Sequence, residues 1–148
     1  MPNGKAPSVY IIAGPNGSGK TTFATTFLPD FAFETTLSGL TYLNWLKQFK
    51  KLGYSIHMYY LWVADIDLAL ARIKERVMRG GHHVPAKDVR RRYKRSISDL
   101  FQKYGPLVDS WTLFDNSSGK PHITAQMVGG NLTVHEVELF DKIKGNFQ

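Results

Sequence analysis

Apolar residues in this chain gather into short runs separated by glycines, prolines and charged stretches, and the runs switch between two periods. Ser8 to Ala13 (SVYIIA) is almost continuously apolar, the pattern of a strand covered on both faces within a parallel sheet. After Lys20, the stretch TTFATTFL predicts about three helical turns, carried by Phe23 and Phe27 and stopped by Pro29. Phe31 and Phe33 alternate around Ala32 and lead into Glu34, Thr35 and Thr36, which predicts a second short strand. Ser38 is the expected N-cap of a helix reaching about Leu52, with Leu40, Leu43, Leu46 and Phe49 as its stripe and Gly53 as its stop.

Tyr54 to Val63 (YSIHMYYLWV) has the aromatic and β-branched content of a central strand. Asp65 then caps a predicted helix whose apolar stripe is Ile66, Leu70, Ile73 and Val77, with Arg72, Arg76 and Arg79 opposite. Gly80 and Gly81 break it, and the corner GGHHVP precedes a helical pattern from about Pro85 to Tyr104. Its stripe is Val89, Tyr93, Ile97, Leu100 and Tyr104, while Lys87, Arg91, Lys94 and Arg95 stack on another face. Trp111 to Phe114 predicts a fourth strand ending in Asp115, Asn116 and Ser117. Ile123 to Met127 and Leu132 to Val137 flank Gly129-Gly130 as a hairpin, with a short helix after it. Trp45, Trp62 and Trp111 are assigned to the core. This alternation predicts an α/β fold with a mainly parallel sheet, whose ligands sit at the carboxyl ends of the strands.

With 148 residues, 43% of them hydrophobic, the chain suffices for a single domain over 1–148. No apolar run approaches the roughly 18 residues of a membrane span, and MPNGKAPSVYIIAG contains no signal-peptide core. The expectation is a cytoplasmic protein. The absence of cysteine excludes disulfides and thiolate chemistry. The net charge of +7 is concentrated: between Arg72 and Arg95 ten Lys or Arg face two acids, a balance of +8 that leaves about −1 for the remainder. The basicity is therefore one local device, a glycine-hinged lid over about 76–95, and not a general coat for nucleic acid.

Gly14 to Thr21 reads G-P-N-G-S-G-K-T, a full G-x-x-x-x-G-K-[ST] match with a strand before it and a helix after it. The backbone amides of such a loop turn inward on phosphates, Lys20 neutralises the β- and γ-oxygens, and Thr21 offers a hydroxyl to Mg²⁺. Gly14, Pro15, Asn16, Gly17, Ser18, Gly19, Lys20, Thr21 and Thr22 are thus the expected ATP-binding residues. The chain has too few strands for a large ATPase core and no N-K-x-D guanine-reading motif. Phosphoryl transfer needs positive charge on the migrating group and exclusion of water, and an arginine-bearing lid supplies both. The fold class expected is the P-loop nucleotide-kinase type, with a basic helical lid and a C-terminal β-hairpin region at about 121–148.

The blocks GPNGSGKTTFA…FLP, FETTLSG…GY, RV…GGH.VP….RRRY.RS and W…DNS follow one another in an order that resembles the zeta-toxin-like family of small P-loop kinases, over about 8–117. The resemblance implies an ATP-dependent phosphotransferase acting on a hydroxyl of a small molecule, in the best-known members a nucleotide sugar, and a partner of the antitoxin kind. By this resemblance Lys20 and Thr21 hold ATP and Mg²⁺, and Glu34 and Thr36 fall in the acceptor-binding block. Asp115, Asn116 and Ser117 lie near the adenine, with Asn116 the one assigned to ATP. The arginines after Pro85 clamp the transferred phosphate. Arg91 and Arg95, which share the basic face, are assigned to that catalytic clamp with Lys20, and Arg76 or Arg79 from the preceding helix are the alternatives.

The chain departs from the family in one place. Relatives carry a longer segment before the ETTLSG block, bearing an Asn-x-Asp-like motif whose aspartate is the general base. Here Pro29, Asp30 and Phe31 alone separate helix from strand, and no Asn-x-Asp occurs in the chain. Asp30 lies on the wrong side of the strand for a base, and Asp65 is a helix cap. The departure keeps a second reading open, a nucleotide-binding module with little turnover. His82 and His83 raise a metal reading, but adjacent histidines point apart and no third ligand has suitable spacing. The run Arg90-Arg91-Arg92 raises an RNA reading, which the scarcity of interleaved aromatics disfavours.

Overall fold

The computed structural model describes residues 7–27 and 32–145. Pro29, Asp30 and Phe31, on which the helix stop and the short connection were expected, lie outside the described residues. The elements run β1 (Ser8–Ala13), α1 (Lys20–Phe27), β2 (Ala32–Thr35), α2 (Thr41–Lys51), β3 (Ser55–Trp62), α3 (Ile66–Met78), α4 (Ala86–Asp99), β4 (Ser110–Asp115), β5 (His122–Val128), β6 (Asn131–Val134) and α5 (Val137–Gly145). A π-helical turn at Leu100–Tyr104 continues α4. The strands form one six-stranded sheet in the order β2-β1-β3-β4-β5-β6. β2, β1, β3 and β4 are parallel, and β5 and β6 add an antiparallel margin.

Period-two patterning divides the core between the faces of the sheet. On β1, Val9, Ile11 and Ala13 join the larger cluster, whereas Ile12 faces the smaller one with Phe23 and Leu61. β3 repeats the division, sending Ile56, Met58, Tyr60 and Trp62 to the larger cluster and Tyr59 and Leu61 to the smaller. Parallel pairing aligns the carboxyl ends: Ala13 is level with Thr35 and with Tyr60, and Trp62 is level with Asp115. All four parallel strands therefore deliver their following loops to one edge.

Several expectations are corrected in detail. Trp62 and Trp111 are buried, but Trp45 is 51% exposed on α2, where it meets Tyr42 edge-on. Ser38 does not cap α2; the N-cap position is Leu40, without a side-chain cap, and Ser38 Oγ is instead 2.8 Å from Thr36 Oγ1. This turn holds Leu37 at a left-handed φ of 54°, a conformation disfavoured for a bulky residue and sustained here by complete burial of its side chain. Asp65 caps α3 as expected, accepting from the Leu68 amide at 2.7 Å. The hairpin turns at Gly129-Gly130, but β6 ends at Val134 and Val137 opens α5.

Candidate functional site

The phosphate-binding loop leaves β1 at Gly14 and enters α1 at Lys20. Three of its glycines have positive φ: Gly14, Gly17 and Gly19. The loop is fastened to the strand ends around it. The Gly14 amide donates to Thr35 O at 3.2 Å, and the Ser18 amide closes a turn on Pro15 O at 3.2 Å. Asn116, buried just beyond β4, donates from Nδ2 to Ser18 O at 2.8 Å. Arg72 of α3 forks across three carbonyls, reaching Gly17 O at 3.3 Å and Asn116 O and Ser117 O at 2.9 Å each.

Arg72 was legible only as part of a basic face, and its role as a tie between α3, the phosphate loop and β4 appears with the fold. Its planar fork is what allows one side chain to serve three acceptors, so Arg72→Lys should restore only part of what Arg72→Ala removes. The alanine variant is expected to lose about 2 kcal/mol of stability, in the range of charge-assisted hydrogen bonds, together with nucleotide affinity. Urea unfolding and ATP titration of the two variants check this.

Lys20 Nζ donates to Gly14 O at 2.9 Å and to Pro15 O at 3.0 Å, folded over its own loop. Burial pushes its pKa down from 10.5 to about 8; Glu34 works against that shift, and the cations Arg76 and Arg92 add to it. Thr21 Oγ1 donates to Glu34 Oε1 at 2.8 Å. That contact joins the end of β2 to the first turn of α1.

Two cavities open on this edge. One, of about 480 Å³, is lined by Gly17, Gly19, Lys20, Thr21, Thr22 and Asn116 together with Arg72, Arg76 and Arg79. The other, of about 350 Å³, is lined by Glu34, Thr35, Thr36, Ser38, Gly39, Thr41, Tyr42 and Arg92. Both are of ligand size. The first suits a nucleotide triphosphate. Its walls combine a glycine loop, an ammonium and three arginines, and the hydroxyl of Ser18 and the amide oxygens of Asn16 and Asn116 are buried without partners among the described residues. The second is lined by hydroxyls, one aromatic ring, one cation and the carboxylate of Glu34, a set that suits a polyhydroxylated small molecule. For Mg²⁺ the fit is the hydroxyl of Thr21 beside the phosphates. The described residues hold no group of three or more His, Cys, Asp or Glu able to cage a metal.

Most of the expected site residues converge here. Gly17, Gly19, Lys20, Thr21, Thr22 and Asn116 line the first cavity, and Glu34 and Thr36 the second. Gly14 and Pro15 supply the carbonyls that hold Lys20. Asp115 turns inward to its own loop, accepting from the Ser117 amide and hydroxyl at 3.0 and 2.6 Å. His82 and His83 are exposed.

The lid arginines differ from expectation. Arg91 is exposed and pairs with Asp88 at 3.3 Å, Arg95 is exposed, and neither lines either cavity. Arg92 takes that place in the second cavity, and Arg76 and Arg79 in the first. Helical spacing explains the exchange. Arg92 lies three residues after Val89 and four before Ser96, both buried, so it shares their inward stripe, whereas Arg91 and Arg95 point outward. Tyr93 next to it fixes the helix by donating to Val63 O at 2.6 Å, and Tyr60 donates to Ser96 Oγ at 2.7 Å.

Comparison with solved structures gives the same architecture. A crystal structure of AvrRxo1-ORF1:-ORF2 with ATP superimposes over 99% of this chain at a TM-score of 0.80 and 14% identity. The fold is the P-loop, kinase-like one. A structure of the PezAT chromosomal toxin–antitoxin system of Streptococcus pneumoniae matches over 95% of the chain at a TM-score of 0.55 and 11% identity. At these identities the likeness is one of fold. The chain spans 66% of the first neighbour's length and 86% of the second's. An uncharacterized protein of Haemophilus influenzae is 36% identical over 83 residues, which are 56% of this chain and 59% of that protein. No family model matches the chain. Among the described residues no helix is long and apolar enough to cross a membrane.

Proposed function

We propose that the protein is an ATP-dependent small-molecule kinase of the zeta-toxin-like kind, which transfers the γ-phosphate of ATP to a hydroxyl of an acceptor. The observation that carries this reading is the contact between Thr21 and Glu34, because Thr21 lines the nucleotide cavity, Glu34 lines the second one, and 2.8 Å separates their oxygens. A donor and an acceptor seated in the two cavities meet at Lys20 and Thr21. In-line transfer through a loose transition state needs little more than such placement and positive charge around the migrating group. Lys20, Arg76 and Arg92 supply the charge; burial is the main cause that lowers the pKa of Lys20, with the two arginines adding to it, and an entering polyphosphate favours the ammonium form. Bound Mg²⁺, held by the phosphates and Thr21, would spread the charge of the transferred group.

The nucleotide-sugar class implied by the sequence resemblance suits the hydroxyl-rich second cavity and its single cation. The complex of the AvrRxo1-ORF1:-ORF2 neighbour with ATP supports nucleotide binding, and the toxin–antitoxin character of PezAT extends the proposal to an antitoxin-like protein partner; the setting we propose is cytoplasmic. The competing reading, a nucleotide-binding module with little turnover, draws on the missing Asn-x-Asp segment. Incubation with γ-labelled ATP and a small-molecule cell extract separates them: a kinase moves label into a metabolite. A module binds ATP through Lys20 and moves none.

A further inference from the structure

We infer that Glu34 is the general base of the transfer. The inference rests on the phosphotransfer reading above and deepens it. Glu34 sits at the carboxyl end of β2, level with Ile12 of β1, so its strand delivers it beside the phosphate loop. It is exposed to the second cavity. Oε1 accepts from Thr21 Oγ1 at 2.8 Å, and the carboxylate also acts on the charge of Lys20.

The neighbouring carboxylates are otherwise engaged. Glu75 lies on the nucleotide side and is paired with Arg79 at 2.6 Å. Asp65 caps α3 and Asp115 holds Ser117. Among the described residues, Glu34 is the carboxylate that lines the acceptor cavity. A base must lie within hydrogen-bond reach of the proton it removes, and a hydroxyl in that cavity, facing a phosphate at Lys20 and Thr21, passes beside Glu34. In the step itself the acceptor oxygen bonds to the γ-phosphorus. The bond from that phosphorus to its bridging oxygen breaks with the electron pair leaving on ADP, and the hydroxyl proton passes to Glu34 Oε2. Thr21 fixes the carboxylate's orientation through Oε1 and leaves Oε2 for the proton.

The test uses the full chain with γ-labelled MgATP and a small-molecule extract as the acceptor pool. Glu34→Gln is expected to lower transfer by about 10²–10⁴-fold, the usual contribution of a general base, while ATP still binds. Glu34→Gly should recover part of its rate when formate is added as a replacement carboxylate. Near-wild-type transfer by Glu34→Gln overturns the inference while leaving the kinase reading in place. So does recovery of the Gln variant by excess Mg²⁺ alone, which would make Glu34 an aid to metal binding, or an absence of formate rescue. No label transfer by the wild type overturns both readings.

Discussion

Lys20→Ala is expected to remove phosphotransfer, lowering kcat/KM by about 10²–10³-fold or more, the loss seen when one preorganised donor to a developing anion is deleted. The fold should survive, since among the described residues the amine hydrogen-bonds only to Gly14 O and Pro15 O. The same residue makes nucleotide binding depend on pH. Its pKa is lowered to about 8, with burial the main cause, the carboxylate of Glu34 opposing it, and Arg76 and Arg92 reinforcing it. The ammonium form is the one that phosphate oxygens favour, so binding raises the pKa. Affinity for ATP is accordingly flat below about pH 7 and falls as pH rises through 8, by about tenfold per pH unit for a single coupled proton. The alanine variant should bind more weakly and lose this slope. Titration of a fluorescent ATP analogue from pH 6 to pH 9.5 reads both effects.

The second large effect is expected at the glycines of the loop. A Cβ on Gly14 would lie 2.4 Å from Leu61 O and 2.7 Å from Ser18 Oγ, at a φ of +148°. One on Gly17 would lie 2.5 Å from Ala69 O at a φ of +81°. Both obstacles include backbone carbonyls of packed elements, which cannot swing aside as a side-chain tip can. Steric overpacking of about 1–3 kcal/mol adds to a backbone strain of about 1–3 kcal/mol. Gly14→Ala or Gly17→Ala should therefore cost roughly 2–6 kcal/mol and abolish ATP binding. Gly39→Ala is the control, since an added Cβ there meets nothing within 4 Å, and it should stay within about 0.5 kcal/mol of wild type. Urea midpoints of the three variants measure the contrast.

Much of this arrangement was legible in the chain. The continuous apolar runs named the parallel strands because both faces of that sheet are covered, and G-P-N-G-S-G-K-T named the nucleotide cavity because its spacing encodes backbone geometry as well as side chains. What escaped the sequence depends on direction and on distant contacts. Arg91 and Arg95 share a helical face, but nothing in their spacing says which face turns inward; the buried Val89 and Ser96 decide that, and they select Arg92. Tertiary packing likewise decides that Trp45 remains half in solvent while Trp62 and Trp111 are covered. Arg72 reaches carbonyls 44 to 55 residues away in the chain, which no local pattern encodes. Glu34 was visible as a strand-end carboxylate, but its bond to Thr21 needed β2 to pair with β1.

The central claim is that the chain moves phosphate from ATP to a small hydroxyl acceptor. Mass spectrometry of a metabolite extract incubated with MgATP and either wild type or Lys20→Ala tests it most directly. The account predicts that at least one metabolite gains a single phosphoryl group with the wild type and not with the variant. An extract unchanged by a wild-type protein that nevertheless binds ATP through Lys20 would contradict it.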